Sequence, residues 1–565
     1  MIRVVATGIQ DFEQLRIKNA FYVDKTDFIR EWWHHEDVVT LIARPRRCGK
    51  TLNMSMMNCF FSGRYANRGD LFEGLKIWED ADMRGQQGKW PVIFLSFAGI
   101  KGATYADTME QMKAKMVELF ASYPELYAYD GFQKNEIEAL QSIRETMSDT
   151  KAALAIHLLC TLLEKIYGKK VLIFLDEYDT PLQEAYLYGY WDQMVQFIRI
   201  MFCNAFKSNS ALARGIMTGI TYVSKESVFS DLNNLEVVTT TSTKYATAFG
   251  FTEDEVFDAL DQQGLGRQKE TAKAWYDGFT FGGITDIYNP WSITNYLDKG
   301  VLKPYWANSS GNGMVSRLIQ QGDRKIKTQF EALMDGGTIE VILDEEIIYN
   351  QLDTKPDAIW SLLLATGYLS VAQAPGSQER EVAGKPVYRL RLTNLEVQMM
   401  FQSMIEDWFA FGGGVKDFAR AMFAGNTEEM EDYLNSIMRE TMSFFDTGRK
   451  SGNKTPENFY HGFVLGLLVE TKGDYLLRSN RESGYGRYDL ILEPRDIRKP
   501  AVILEFKVFN PRRGEKTLED TAREGLMQIE EQKYDSDLLA RGIAKERILK
   551  YGLGFKGKEC LILKA

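Results

Sequence analysis

The chain has 565 residues, which a prior of about 150 residues per domain divides into two to four domains. With 45% apolar, 26% charged and 12% aromatic residues it is an ordinary globular composition, excluding a peptide hormone, a disulfide scaffold, a lone binding module and a disordered chain. Lys plus Arg at 68 against Asp plus Glu at 78 leaves a net charge of −10, which excludes a global basic coat but leaves room for a local basic patch.

Four short apolar runs in the first 220 residues, Val38 to Ala43, Pro91 to Phe97, Val171 to Leu175 and Gly215 to Ile220, predict strands. Segments of helical period lie between them, including Tyr105 to Tyr123 and Lys151 to Tyr167, and this alternation predicts a parallel α/β sheet. From Phe251 to about Asp344 the pattern turns helical and irregular, with the aromatic-rich turns YDGFTFGG and IYNPWSI, and reads as a helical lid or accessory region. Residues 355–450 are mostly of helix period, with a hairpin around Glu379 to Leu392. The last 110 residues predict a helix from about Glu457 to Glu470, three strands ending at Phe506, a helix from Leu518 to Lys533 and two further strands. Expected boundaries are therefore 1–250, 251–450 and 451–565. The five cysteines, Cys48, Cys59, Cys160, Cys203 and Cys560, show no CxxC or Cys/His spacing, so neither a disulfide framework nor a zinc site is expected. The N-terminus has no signal pattern and no apolar run nears the ~20 residues of a membrane span, so a soluble cytoplasmic protein with no membrane partner is expected.

The first strand runs straight into ARPRRCGKTLNMSMM. A phosphate-binding loop needs converging backbone N–H groups, a lysine for the β/γ oxygens, a hydroxyl for Mg²⁺ and a helix N-terminus behind them. Gly49, Lys50 and Thr51 supply these parts in order, but the first glycine of the usual motif falls at Arg44. The third strand delivers Asp176 and Glu177 at its C-terminal end, where Asp176 would hold Mg²⁺ through water and Glu177 would polarise the attacking water. Asp179 suits a helix cap better than a third catalytic acid. Thr218 and Thr221 stand near the fourth strand's end, as a γ-phosphate sensor or as core threonines. Arg44, Arg46 and Arg47 surround the loop, either as solvated or salt-bridged charge or as phosphate ligands and arginine finger. Asp24 and Lys25 brace the loop or cover the adenine.

Metal-dependent phosphodiester cleavage needs carboxylates on adjacent strands and a lysine nearby. Asp489 opens one predicted strand; on the next, Glu505 and Lys507 flank Phe506, and period 2 puts both on one face. Asp489 sits in an apolar-alternating run and has a fixed position, whereas Asp496 lies in a turn among arginines. Between Arg495 and Lys516 there are seven basic residues, Arg495, Arg498, Lys499, Lys507, Arg512, Arg513 and Lys516, against the acids Asp496, Glu505 and Glu515, a local +4 that suits phosphate contacts. Glu457 and Glu482 are candidate auxiliary acids or solvated charge, and His461 is a core or rim histidine.

The stretches GIQDFEQLRIKNAFYVDKT, ARPRRCGKT, LFEGLKI, FLDEYDTPL, SKESVFSDLNNL, YDGF and YNPWSI resemble the AAA-ATPase-like proteins that carry a C-terminal PD-(D/E)xK nuclease-superfamily domain. In that family an R-P-R-R-x-G-K-[ST] loop replaces the usual first glycine, and Cys48 stands where an aromatic is more frequent. The resemblance implies an α/β fold: a P-loop NTPase with a parallel sheet of the ASCE/AAA type and a helical lid region, followed by an α/β nuclease-like domain. It implies ATP binding through Arg47, Gly49, Lys50, Thr51 and Asp176, with Thr51 and Asp176 on Mg²⁺. It also implies Mg²⁺, or Mn²⁺ in its place, on Asp489 and Glu505, and it places Gln528 and Tyr534 as the helix glutamine and tyrosine beside that metal. The expected function is an ATP-binding and ATP-hydrolysing protein whose nucleotide state controls a metal-dependent nuclease acting on DNA or RNA, with a homo-oligomer admitted. The alternative is a nucleotide-switched nucleic-acid or protein interaction module without nuclease activity.

Overall fold

The computed structural model describes residues 3–222, 228–229, 232–307, 313–321, 324–334, 336–343, 352, 355, 357–372, 380–382, 385–410, 415–441, 464, 468, 474–479, 482–483, 486–487, 489–511, 514–557 and 559–565. Its contacts divide the chain into two units, Met1–Gln320 with Ala332–Met399, and Gln321–Glu331 with Met400–Ala565.

In the first unit five strands, β1 (Val39–Ala43), β2 (Val92–Ser96), β3 (Val171–Asp176), β4 (Leu212–Gly219) and β5 (Leu235–Val238), form a wholly parallel sheet in the order β2-β3-β4-β1-β5. Every residue of β1 and β3 is buried, as expected of parallel strands covered on both faces. Successive side chains point to opposite faces, so Ile173 and Leu175 enter one core while Leu172 and Phe174 enter another. The first core is covered by helices Tyr105–Ala121, Asp149–Tyr167 and Trp191–Phe202, the second by Asp27–His35 and Lys50–Phe61. Ser148 caps Asp149–Tyr167 by accepting the Lys151 N–H, and Gly168 ends it in the left-handed region. The four expected strands and both expected helices are present within a few residues of their predicted ends. β5 went unpredicted: it is four residues long, on the sheet edge, and only Val238 is fully buried.

After residue 250 the chain is less helical than its sequence suggests. Phe251–Thr252, Ile284–Tyr288 and Phe279–Phe281 make a three-stranded antiparallel sheet among helices Glu253–Gln262, Lys269–Tyr276 and Pro290–Lys299. Strands of two to five residues interrupted by the Gly282–Gly283 turn offer no alternation long enough to read. The expected hairpin is present as Arg380–Val382 against Lys385–Leu392.

In the second unit the C-terminal sheet runs in the order Tyr475–Ser479, Leu490–Pro494, Ala501–Val508, Ile548–Lys556, Glu559–Lys564. Its central pair, Ala501–Val508 with Ile548–Lys556, is parallel and the other pairings are antiparallel, so the sheet is mixed. Helix Leu518–Glu531 is the crossover between the parallel pair. That helix lies so close to the sheet that a Cβ at Gly552 would stand 2.1 Å from the Ala522 carbonyl, which is why glycine occupies the strand there. The expected helix around Glu457 to Glu470, with His461, falls outside the described residues except for Val464 and Leu468. Among the described residues no helix is long and apolar enough to cross a membrane.

Candidate functional site

The strand order places β4 between β1, which delivers the phosphate loop, and β3, which delivers the acidic pair. Gly49 takes φ +94°, a left-handed turn that glycine adopts without strain, and helix Lys50–Phe61 begins at the next residue. The Lys50 ammonium is buried and donates to the Arg44 and Pro45 carbonyls at 2.9 and 2.7 Å. The Thr51 hydroxyl donates to Asp176 Oδ2 at 2.8 Å, and Thr218 donates to Oδ1 of the same buried carboxylate. Lys50, Thr51, Asp176 and Thr218 are thus brought to one end of the parallel sheet. Glu177 follows with φ +52°, a conformation that costs a non-glycine residue ~1 kcal/mol or more, stabilised here because its N–H donates to the Thr218 hydroxyl and its carboxylate accepts from the Thr180 hydroxyl. Burial and the neighbouring Asp176 charge push the Glu177 carboxyl above its ordinary value.

The three arginines separate. Arg44 is fully buried; it donates to the carbonyls of Thr239, Ser242 and Lys244 and stacks on Phe281, 4.4 Å from the ring centre. It is therefore neither solvated charge nor a phosphate ligand, because carbonyls of the 239–244 turn, which sequence does not bring near the loop, take its donors. Burial draws its pKa down to about 10, so it stays charged at neutral pH. Arg46 donates to Gln183, and Arg47, at φ +59°, lies 4.0 Å from the Trp291 ring centre. Asp179 stands at the N-terminal boundary of helix Thr180–Tyr188 but does not cap it; its carboxylate instead accepts from the Ile220 and Thr221 N–H groups, the Thr221 hydroxyl and Gln183. Thr221 is thus occupied by Asp179 rather than Asp176. Asp24 accepts from Thr26 and the Lys76 N–H, and Lys25 pairs with Glu255, so both brace the fold.

In the second unit the antiparallel register Leu490↔Leu504 brings Asp489 beside Glu505. Asp489 Oδ2 accepts the Phe506 N–H at 2.9 Å, while Glu505 Oε2 accepts the Asp489 N–H at 3.3 Å. Lys507 reaches Glu505 Oε1 at 3.1 Å, as same-face side chains two residues apart on a strand can. Gln528, from the crossover helix, donates to that same oxygen and, at 2.9 Å, to the Tyr534 hydroxyl. The four expected residues and Tyr534 therefore meet at one strand end. Burial, then the charge of Asp489, raises the Glu505 carboxyl to about 8, although Lys507 opposes the shift. Two carboxylates that repel each other in a half-dry site, beside a lysine, form a donor set suited to a hard divalent cation. Asp496 pairs with Arg498 in an exposed turn, which holds its carboxyl at about 2.

The described residues of the basic run do not form one patch. Arg495, Arg498 and Lys499 lie in the turn before Ala501–Val508, and Lys507 with Lys516 lie beyond or near its other end, so that about 7 residues of strand, ~23 Å, separate the groups. Arg498 and Lys499 are moreover paired with Asp496 and Asp474. Arg512 and Arg513 fall outside the described residues, as do Glu457 and the side chain of Glu482.

Both candidate sites lie within segments that match known families. Residues 6–229 match the family model described as predicted AAA-ATPase, and residues 455–565 match the PD-(D/E)XK nuclease superfamily. The chain carries an AAA-ATPase-like domain and a C-terminal PD-(D/E)XK nuclease-superfamily domain. It is also 25% identical over 402 residues, covering 69% of this chain and 67% of the relative, to an uncharacterized protein in the vnfD 5' region of Azotobacter chroococcum mcd 1.

Proposed function

We propose that this protein binds and hydrolyses ATP at Lys50, Thr51 and Asp176, and that its nucleotide state controls a Mg²⁺-dependent nuclease centre built on Asp489, Glu505 and Lys507 that acts on DNA or RNA. The observation that carries this reading is the environment of Glu505, which shares its site with Asp489, Lys507 and Gln528 while its carboxyl is raised to about 8. Mg²⁺, or Mn²⁺ in its place, held by Asp489 and Glu505, would supply charge neutralisation for the phosphodiester and a water of lowered pKa. Lys507 sits where its ammonium can offset phosphate charge, and Gln528, fixed by Tyr534, holds Glu505 in its orientation. At the nucleotide site Lys50 exchanges its two carbonyl partners for β/γ-phosphate oxygens. Thr51 and Asp176 would provide a hydroxyl and a carboxylate for Mg²⁺, and Glu177, with its raised carboxyl, would accept the proton of the attacking water.

The test incubates the full chain with plasmid DNA, single-stranded DNA and RNA, with Mg²⁺ or Mn²⁺, in the presence and absence of ATP. Metal-dependent cleavage whose rate changes with ATP is expected. Bound ATP with no cleavage of any substrate under any divalent ion would assign the protein to the alternative, a nucleotide-switched interaction module.

A further inference from the structure

We infer that the first turn of helix Pro290–Lys299, with its cap Asn289, is a positioning element of the nucleotide site, in which Trp291 orients the Arg47 guanidinium toward bound phosphate and Asn289 fixes the loop backbone behind it; this rests on the ATP-binding reading above. The turn lies some 240 residues beyond the loop in sequence, yet Asn289 Nδ2 donates to the Arg46 carbonyl at 3.1 Å. Asn289 is buried, and its Oδ1 accepts the Trp291 N–H at 2.9 Å, so one side chain both caps helix Pro290–Lys299 and holds the loop. The Trp291 ring then faces Arg47 at 4.0 Å.

The choice of partner has a chemical consequence. A carboxylate holding Arg47 would consume guanidinium N–H donors and cancel the charge that a phosphate must meet. An aromatic face attracts the cation through its quadrupole and leaves the five N–H donors directed outward. Among the described residues the Arg47 guanidinium makes no hydrogen bond or ion pair, whereas Arg44 is spent on carbonyls and Arg46 on Gln183. Arg47 is therefore the arginine of the RPRR segment whose guanidinium has no donor already engaged among the described residues. Its left-handed backbone also needs support, and the pinned carbonyl of Arg46 supplies it one residue earlier.

The turn is itself anchored. Ser292 donates to both oxygens of Glu396, at 3.1 and 2.9 Å, and the same buried carboxylate accepts the Trp306 and Ala307 N–H groups. Trp291 thus stands on a rigid base, as an orienting residue must.

The experiment measures Mg-ATP affinity of the full chain by calorimetry for the series Trp291→Tyr, Trp291→Phe and Trp291→Leu, each with Arg47 intact and in an Arg47→Ala background. With Arg47 present, affinity should fall as the ring weakens, by about fivefold at leucine, and phenylalanine should retain part of the wild-type value. In the Arg47→Ala background the same substitutions should change nothing. The aromatic variants keep a ring at the site, so they report even if leucine lowers the folded population. Losses that multiply in the double variants, or affinity indifferent to the ring, overturn the positioning role. A wild type that binds no ATP overturns the parent reading instead.

Discussion

The two candidate centres handle their charged groups in opposite ways. At the phosphate loop the polar groups pair with one another: Lys50 with two loop carbonyls, Thr51 and Thr218 with Asp176, Asp179 with the N–H groups beyond β4. At the C-terminal centre the two carboxylates face each other, and one lysine does not balance them, so Glu505 is driven toward its protonated form. In the first arrangement each charged group already has internal partners. The second stores an electrostatic mismatch that a cation would relieve. The difference can be broken at either end.

The largest effect is expected at the mismatched centre. Asp489→Ala and Lys507→Ala should each bring metal-dependent cleavage below detection while ATP binding persists, and Asp496→Ala, whose exposed carboxylate is satisfied by Arg498, should leave cleavage near wild type. Gel assays with linear and plasmid substrates decide this; cleavage surviving Asp489→Ala would move the centre elsewhere. Next comes Lys50→Ala, which removes the one ammonium buried against the loop carbonyls. At ATP of 100 times Kd the wild type should gain about 2.7 kcal/mol, visible as a rise in Tm, and the variant should gain nothing. Glu177→Gln should then bind ATP normally and hydrolyse it about a hundredfold more slowly or less, measured by phosphate release.

These predictions use residues that the sequence already exposes, and the reason is local. Gly49, Lys50 and Thr51 are consecutive, Asp176 and Glu177 end an unbroken apolar strand, and Glu505 and Lys507 share a strand face by period alone. Sequence could not give the partners that arrive from afar. Arg44 reads as solvated charge or a phosphate ligand until the 239–244 carbonyls and Phe281 close on it, and Asp179 reads as a cap until the chain beyond β4 delivers Ile220 and Thr221. Glu253, Asp277 and Asp286, which meet around Lys273, come from a helix end, a turn and a short strand with no shared period. The described residues of the basic run part for the converse reason, because adjacency in sequence became separation along an extended strand.

A fourth prediction converts the mismatch into a pH dependence. The Glu505 carboxyl is raised from 4.5 to about 8, so the folded state holds its proton more tightly than the unfolded chain. This group's contribution to stability is then greatest below about 4.5 and is lost as pH rises toward 8. A divalent cation needs the ionised form, so it competes with that proton. Thermal melts should show a larger Mn²⁺-induced rise at pH 8.5 than at pH 6, and Glu505→Gln should abolish the rise at both. An equal rise at both pH values in the wild type would place the bound metal away from Glu505.

The smallest effect is expected at Glu396, which belongs to neither carboxylate pair but is a related raised acid. Burial lifts its carboxyl to about 7, although Ser292 and the N–H groups of Trp306 and Ala307 all donate to it. The sign matches that of Glu505: stability is present below about 4.5 and falls as pH rises through 7. Oε1 receives the Trp306 and Ala307 N–H groups, while the Ser292 hydroxyl reaches both oxygens and lies nearer Oε2. A glutamine can therefore place its oxygen toward the amides and its NH₂ toward the hydroxyl, which can turn to accept. Glu396→Gln should keep every partner and shed the buried charge, so its Tm should match the wild type at pH 5 and exceed it by about 2 °C at pH 8. Glu396→Ala leaves two buried amides unpaired and should cost ~2 kcal/mol or more at both. If glutamine destabilises at pH 8 as much as alanine does, the charge itself, rather than the hydrogen bonds, is what holds the helix that presents Trp291.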